Sequence, residues 1–375
     1  MPKLLFIAPS SPFPAYDGKR QRTLAFLLAA LQDYSVDFLA LDGYPSKELL
    51  FIPDGLRDRF RFITLPLSQD PKWLKKLGLS FFPNARNQEM FSELLESTFY
   101  DRIFCRYANS ARDLPQGQRF VLDVDDDYEE LMLSKISNER NPIQKLRLWQ
   151  IFQFNRSYYQ RIIERAKIAI WVKSEAGKLN GKLLANLPFQ ILFSGKPRLV
   201  QASKNDILFV GKLSYKPNSE GLKWFLIHVW PELKTMNSGV KLTVVSTVRP
   251  AADMEKLIED LEGVSLKVGV SDILGVYHSS KVCIVPIFFG GGSNIKLSES
   301  LLMGRVVVAS EFGARGFSEW VQNGFVSVAY SPQNWVLAIN EAFNKPWLEE
   351  EWEGVRDNFS LEAWNKKFLS ILHES

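Results

Sequence analysis

Cysteine and histidine are scarce in this chain of 375 residues, with two of the first and three of the second. Cys105 and Cys283 each lie inside an apolar, strand-like run. That placement suits unpaired core thiols rather than a disulfide framework. His228, His278 and His373 are scattered, and none falls in the first half. No zinc-type spacing results, so no structural metal is expected. No motif brings a histidine to a nucleophile, which leaves Ser-His-Asp and Cys-His catalysis unsupported. Long apolar runs are also missing. Nothing reaches the roughly 18 residues that a membrane-spanning helix needs. The LLFIA run before Pro9 is too short and too strand-like for a secretory signal. A cytoplasmic protein is therefore expected. There is no internal repeat in residue identity and no low-complexity segment.

What is present is ordinary globular material, 46% hydrophobic and 23% charged. The length exceeds one ordinary core and suits two domains. The net charge of +4 is spread unevenly: residues 1–190 carry 27 basic against 22 acidic side chains, residues 191–375 carry 19 against 20. The asymmetry is mild, chance accounts for it as well as any partner does, and no nucleic-acid partner is expected.

Apolar strands alternate with helical patterns along the chain, the pattern of parallel sheets. LLFIAP (4–9), VDFLAL (36–41), FRFITL (60–65), RIFCRY (102–107), RFVLDV (119–124) and KIAIWVK (167–173) read as strands, with helices over 21–32 and about 141–167. Residues 186–206 lose the pattern and predict a linker. A second alternation follows, with strands at 206–213, 241–246, 265–270, 281–287 and 305–310. Its helices fall near 219–230, 252–261, 272–279 and 293–303. Two such series predict two Rossmann-like, doubly wound α/β domains facing a cleft. The expected divisions are 1–190, 191–358, and a final helix within 359–375 that crosses back to the first domain.

The most informative stretch is VCIVPIFFGGGSNIKLSESLLMGRVVVAS (282–310). A buried strand runs into Gly290, Gly291 and Gly292, and a helix opens near Ser293 and Asn294. Glycines at such a turn let a ligand approach the backbone, and the helix start aims free amides at it, which suits a diphosphate. Lys296 adds a positive charge in the first turn. Glu299, one turn on, could accept hydrogen bonds from a ribose diol. A tight turn with a solvated glutamate is the plain alternative. In the first half, LDVDDDYEE (122–130) places Asp123, Asp125, Asp126 and Asp127 at a strand end. Carboxylates there could bind acceptor hydroxyls or assist proton removal, and capping or solvation explains them equally.

Taken together, residues 206–318 resemble the donor domain of glycosyltransferase family four, a retaining family with the GT-B architecture. ILFVGKLSYKPN (207–218), LKVGVSD (266–272), the 282–310 segment and FGARGF (312–317) carry the likeness. The resemblance implies a nucleotide-sugar donor as substrate, with a saccharide or lipid-linked acceptor, and neither cofactor nor metal. It implies donor-phosphate contacts for Lys212 and Lys216, where a solvated loop is the alternative. Glu299 takes the place of the second glutamate of the family's paired motif. The first would fall near Gly291, so the chain is similar to the branch with a Gly-Gly-Gly-Ser loop. PAYDGKRQR (14–22) resembles the family's glycine-containing loop after the first strand. Gly18 would allow close approach there and Arg22 could reach an anion, unless the segment is an ordinary turn with a solvated basic face. Many members carry an N-domain histidine where this chain has Arg106. Lys212, Glu299, Asp125 and Arg106 are thus the catalytic candidates.

Two other readings stay open: a sugar- or nucleotide-binding module without catalysis, and a nucleotide-sugar epimerase or dehydrogenase. A dehydrogenase would need a Gly-x-Gly-x-x-Gly turn, which APSSPFPAYDG lacks. Segments 71–86 and 141–167 mix aromatic and basic residues. They suit a peripheral contact with the inner face of a membrane, or a core with a solvated basic face.

Overall fold

The computed structural model describes residues 1–13, 18–43, 52–70, 81–125, 127–172, 181–193, 195, 197–202, 205–290 and 294–375. The chain divides into two compact units, Met1–Phe189 with Leu361–Ser375, and Gln190–Ser360.

The first unit is built on β1 Lys3–Ala8, α1 Gly18–Asp33, β2 Ser35–Ala40, β3 Phe60–Ile63, α2 Ala85–Ser97, β4 Arg102–Arg106, β5 Val121–Asp123, α3 Tyr128–Asn138, α4 Pro142–Arg165, β6 Ile168–Trp171 and β7 Gly181–Leu183. The strands form one parallel sheet in the order β3-β2-β1-β4-β5-β6-β7. Leu4 to Ala8 of β1 are completely buried, as a central parallel strand covered on both faces must be. Helix α4 shows why the sequence makes it: Asn141 caps it by accepting from the amides of Ile143 and Gln144, and Pro142 opens it. Phe152, Asn155, Tyr159 and Ile162 recur at helical spacing and are its buried side.

The short helix α5 Phe189–Phe193 spans the boundary between the units. The second unit then runs β8 Ile207–Val210, α6 Lys216–His228, α7 Trp230–Met236, β9 Leu242–Ser246, α8 Ala252–Glu259, β10 Val264–Val268, α9 Ile273–His278, β11 Val282–Val285, α10 Ile295–Leu302, β12 Val306–Ala309, α11 Ser318–Gln322, β13 Val326–Val328, α12 Pro332–Asn344 and α13 Glu349–Asp357. Its parallel sheet has the order β10-β9-β8-β11-β12-β13.

The last helix, α14 Leu361–Glu374, belongs to the first unit. Phe26 of α1 meets Trp364 and Phe368 at 4.9 and 4.6 Å between ring centroids, and Phe104 of β4 meets Phe368 at 5.2 Å. Such aromatic pairs contribute about 0.5–1.5 kcal/mol each beyond their burial. Trp364 also donates its indole N–H to the Ala185 carbonyl at 2.8 Å. Among the described residues no helix is long and apolar enough to cross a membrane.

Candidate active site

In both sheets the strand order reverses direction beside the first strand, between β1 and β4 and again between β8 and β11. Loops leaving the two strands of such a pair go to opposite faces, and a crevice opens at their carboxyl ends. The residues singled out in the sequence gather at these two places.

In the second unit, α6 follows β8 and presses against the end of β11. A Cβ on Gly221 would fall 1.7 Å from the Pro286 carbonyl oxygen, so only glycine fits. Gly290, beyond β11, has φ +126° and lies against Tyr215 and Pro217 at the start of α6. The two loops are also joined by polar contacts. Lys296 of α10 donates to the Asn218 side-chain oxygen at 2.5 Å, and the Asn218 amide donates to the Lys212 carbonyl at 3.0 Å. Asn294 donates to the Gly313 carbonyl at 2.8 Å, tying the start of α10 to the loop after β12. Gly291, Gly292 and Ser293 lie outside the described residues.

Glu299 lies 9% exposed on α10. The Tyr277 hydroxyl, itself fully buried on α9, donates to Glu299 Oε2 at 2.9 Å. Burial pushes the Glu299 carboxyl up to about 7, against the opposing pull of Tyr277 and Lys296. Burial brings the Lys296 ammonium down to about 8, with Glu299 opposing. The phenol of Tyr277 is raised well above its usual range by burial and by Glu299, so it stays a donor. Lys212 and Lys216 are exposed. Lys216 pairs with Glu220 on its own helix at 3.4 Å, while Lys212 makes no ion pair among the described residues. The site therefore has a deep part, Glu299 and Lys296, and an exposed rim of two lysines.

The corresponding place in the first unit is a buried charge network. Arg22 of α1 donates to Asp123 at 2.7 and 3.3 Å and to the carbonyls of Leu184 and Ala185. Arg106, at the end of β4, donates to Asp123 Oδ2, which it shares with Arg22, to Thr23 at 3.1 Å, to the Lys19 carbonyl at 3.2 Å and to Asp125 at 3.1 Å. Arg22, Arg106 and Asp123 are wholly buried. Arg22 was expected to reach an anion and Arg106 to stand in for a catalytic histidine. The structure turns both guanidiniums inward, where they hold two carboxylates. Asp127 accepts from the Glu129 amide at 3.0 Å and caps α3. Asp126 is outside the described residues.

Asp125 is held differently. It has φ +50°, and its neighbour Tyr107 has φ +63°, the two positive-φ residues other than glycine among the described residues. Their side chains meet, with the Tyr107 hydroxyl donating to Asp125 at 2.6 Å. Backbone held in such sparsely populated regions concentrates at functional sites. Burial alone would raise the Asp125 carboxyl, but Arg106 and Arg22 keep it below its usual range. It is thus a permanent acceptor of hydrogen bonds and a weak base. Gly18 begins α1 one turn before Arg22. Sequence reasoning missed Tyr277, Asn218 and Tyr107. A tyrosine or asparagine gives no local sign of a partner elsewhere in the chain.

Comparison with known proteins bears on the second unit. Residues 204–345 match the family described as Glycosyl transferases group 1. This group 1 domain contains both switch-point loops, Lys212, Lys296 and Glu299. An "Uncharacterized 44.6 kDa protein in cps region" of Klebsiella pneumoniae is 20% identical over 338 residues, 84% of each chain. Among solved structures, sucrose-phosphate synthase from Thermosynechococcus elongatus is similar with a TM-score of 0.69 at 17% identity, over 100% of this chain and 98% of that one. WaaG, a glycosyltransferase involved in lipopolysaccharide biosynthesis, gives 0.63 at 15%, over 98% and 99%. The fold is thus the pair of parallel-sheet, Rossmann-like domains found in GT-B glycosyltransferases.

Proposed function

We propose that this chain is a hexosyltransferase: it takes a sugar from a nucleotide-sugar bound in the group 1 domain and passes it, with retention, to a saccharide or lipid-linked acceptor. The observation that carries the reading is Glu299. It is a nearly buried carboxylate at the switch point of the second sheet, with Oε2 taken by Tyr277 and no other hydrogen-bond donor among the described residues. A ribose diol supplies the two hydroxyls that a carboxylate so placed can accept. The start of α10 with Lys296, and the exposed Lys212 and Lys216, suit the diphosphate. Catalysis is then largely electrostatic. As the glycosidic bond breaks, charge builds on the departing diphosphate, and fixed cations and amides stabilise it there without a metal ion. Asp125, ionised and oriented by Arg106 and Tyr107, accepts from acceptor hydroxyls.

The relative from a cps region and the neighbour involved in lipopolysaccharide biosynthesis support a role in making a polysaccharide or glycolipid, in the cytoplasm or at the inner face of its membrane. The test is a screen of UDP-, GDP- and ADP-sugars by thermal shift and by release of nucleotide. One donor should bind and turn over. Glu299→Gln should lower its affinity or turnover tenfold or more, since a hydrogen bond to a charged group contributes about 1.5–3 kcal/mol. Unchanged affinity and turnover in a folded Glu299→Gln protein would sink the ribose assignment. Binding with no turnover on any acceptor would favour the binding-module reading.

A further inference from the structure

The outward side of α4 is unlike the solvent face of an ordinary surface helix. Its buried residues, Phe152, Asn155, Tyr159 and Ile162, define one side. The opposite side, where charged residues are normally found, carries Ile143 at 79% exposure, Leu146 at 57% and Phe154 at 47%, with Trp149 at 49% on its flank. Residues 142–147 are exposed all round, so the first turns stand clear of the unit. Leu133 of α3, the helix that packs beside α4, adds another apolar side chain at 53% exposure.

The charged residues along this stretch of chain have one sign. From Arg140 to Ile163 there are five basic residues, Arg140, Lys145, Arg147, Arg156 and Arg161, and no acidic one. Arg156 is engaged by Glu129 of α3 at 3.2 Å. Isolated exposed apolar residues are unremarkable in any protein, but a contiguous set on a helix marks an interaction surface.

We propose that the outward face of α4 docks this chain on an anionic phospholipid bilayer. Exposed aliphatic and aromatic side chains among predominantly basic ones fit a lipid headgroup layer. Tryptophan and isoleucine enter the acyl boundary while lysine and arginine stay among the phosphates. The inference rests on the proposed function only in giving the docking a purpose, access to a lipid-linked acceptor. The basic, aromatic segment 71–86 singled out in the sequence lies largely outside the described residues and contributes nothing to the argument.

The experiment is co-sedimentation of the full chain with vesicles of pure phosphatidylcholine and of phosphatidylcholine containing phosphatidylglycerol, at low and high salt. Binding to the anionic vesicles alone, weakening as salt screens the charges, is expected. Two exposed pairs are then changed, Ile143→Ser with Leu146→Ser, and Lys145→Glu with Arg147→Glu. Each should reduce the partition coefficient about tenfold or more, with the melting temperature and the affinity for the donor in solution unchanged. No binding to anionic vesicles at low salt overturns the proposal, as does binding that survives both pairs of substitutions. Light scattering that shows a dimer dispersed by the same substitutions would assign the face to a second copy instead, and overturns it too. Vesicle binding that persists while no nucleotide-sugar turns over on any acceptor would refute the enzymatic reading and leave the surface standing.

Discussion

Tyr277 offers the sharpest test of the proposed donor site, because replacing it with phenylalanine removes one hydrogen bond and little else. Glu299 must be ionised to accept from a ribose diol, and burial places its carboxyl near 7. Below that pH the binding-competent fraction falls, so donor affinity should drop about tenfold per pH unit. Lys296 must be charged to face a phosphate, and burial places it near 8. Affinity for a nucleotide-sugar should therefore be bell-shaped, with its maximum between these two values. The groups around Glu299 are Tyr277 from α9, Lys296 from its own helix and Cys283 from β11. Tyr277 and Cys283 are both raised by burial and stay neutral throughout the range. In Tyr277→Phe the carboxylate loses a donor whose hydrogen bond contributes about 1.5–3 kcal/mol. At 1.36 kcal/mol per pKa unit, the Glu299 carboxyl should rise by roughly one to two units. The acid limb should move up by that amount and overlap the lysine limb, so that no pH restores full affinity. Calorimetric titration of the donor from pH 5.5 to 9.5, on both proteins, measures it. An acid limb with the same midpoint in a folded Tyr277→Phe protein would refute the reasoning.

Turnover should persist in EDTA and gain nothing from Mn²⁺ or Mg²⁺, since lysines and amides are proposed to hold the diphosphate. Activity abolished by the chelator and restored by either ion would show otherwise. Asp123→Asn should destabilise the first unit by about 3–5 kcal/mol, because it leaves Arg22 and Arg106 buried without a full counter-charge. A melting temperature within a degree of the parent would mean that the network is looser than described. Gly221→Ala should lower both melting temperature and donor affinity, since its methyl group would overlap the Pro286 carbonyl and push α6 away from β11. Unchanged values for both would contradict the close approach.

The segment proposed to hold the donor was legible as one unit because it is local. Gly290, Lys296 and Glu299 follow one another on a single strand-loop-helix unit, so order along the chain already implies proximity. The partners were not legible for the same reason in reverse. Tyr277 comes from a helix 22 residues before Glu299, and Asn218 from one 78 residues before Lys296. Arg22 and Arg106 looked like ligand-seeking cations because Asp123, their common partner, is 101 and 17 residues away. Nothing in their own neighbourhoods marks them as buried. Both sheets were visible as alternating runs, but β7 and β13 have three residues each, too few to show a period. Helix α12 did announce itself, with Ser331 capping and Pro332 opening it, and that start signal went unread.

The return of α14 to the first unit sets an order of events during synthesis. Phe26 and Phe104 are made early, yet the rings that cover them, Trp364 and Phe368, leave the ribosome more than 250 residues after Phe104. The whole of Gln190–Ser360 emerges in the meantime and can close on itself. The first half must wait with an apolar seam open, which makes that interval its period of greatest exposure to aggregation and to chaperones.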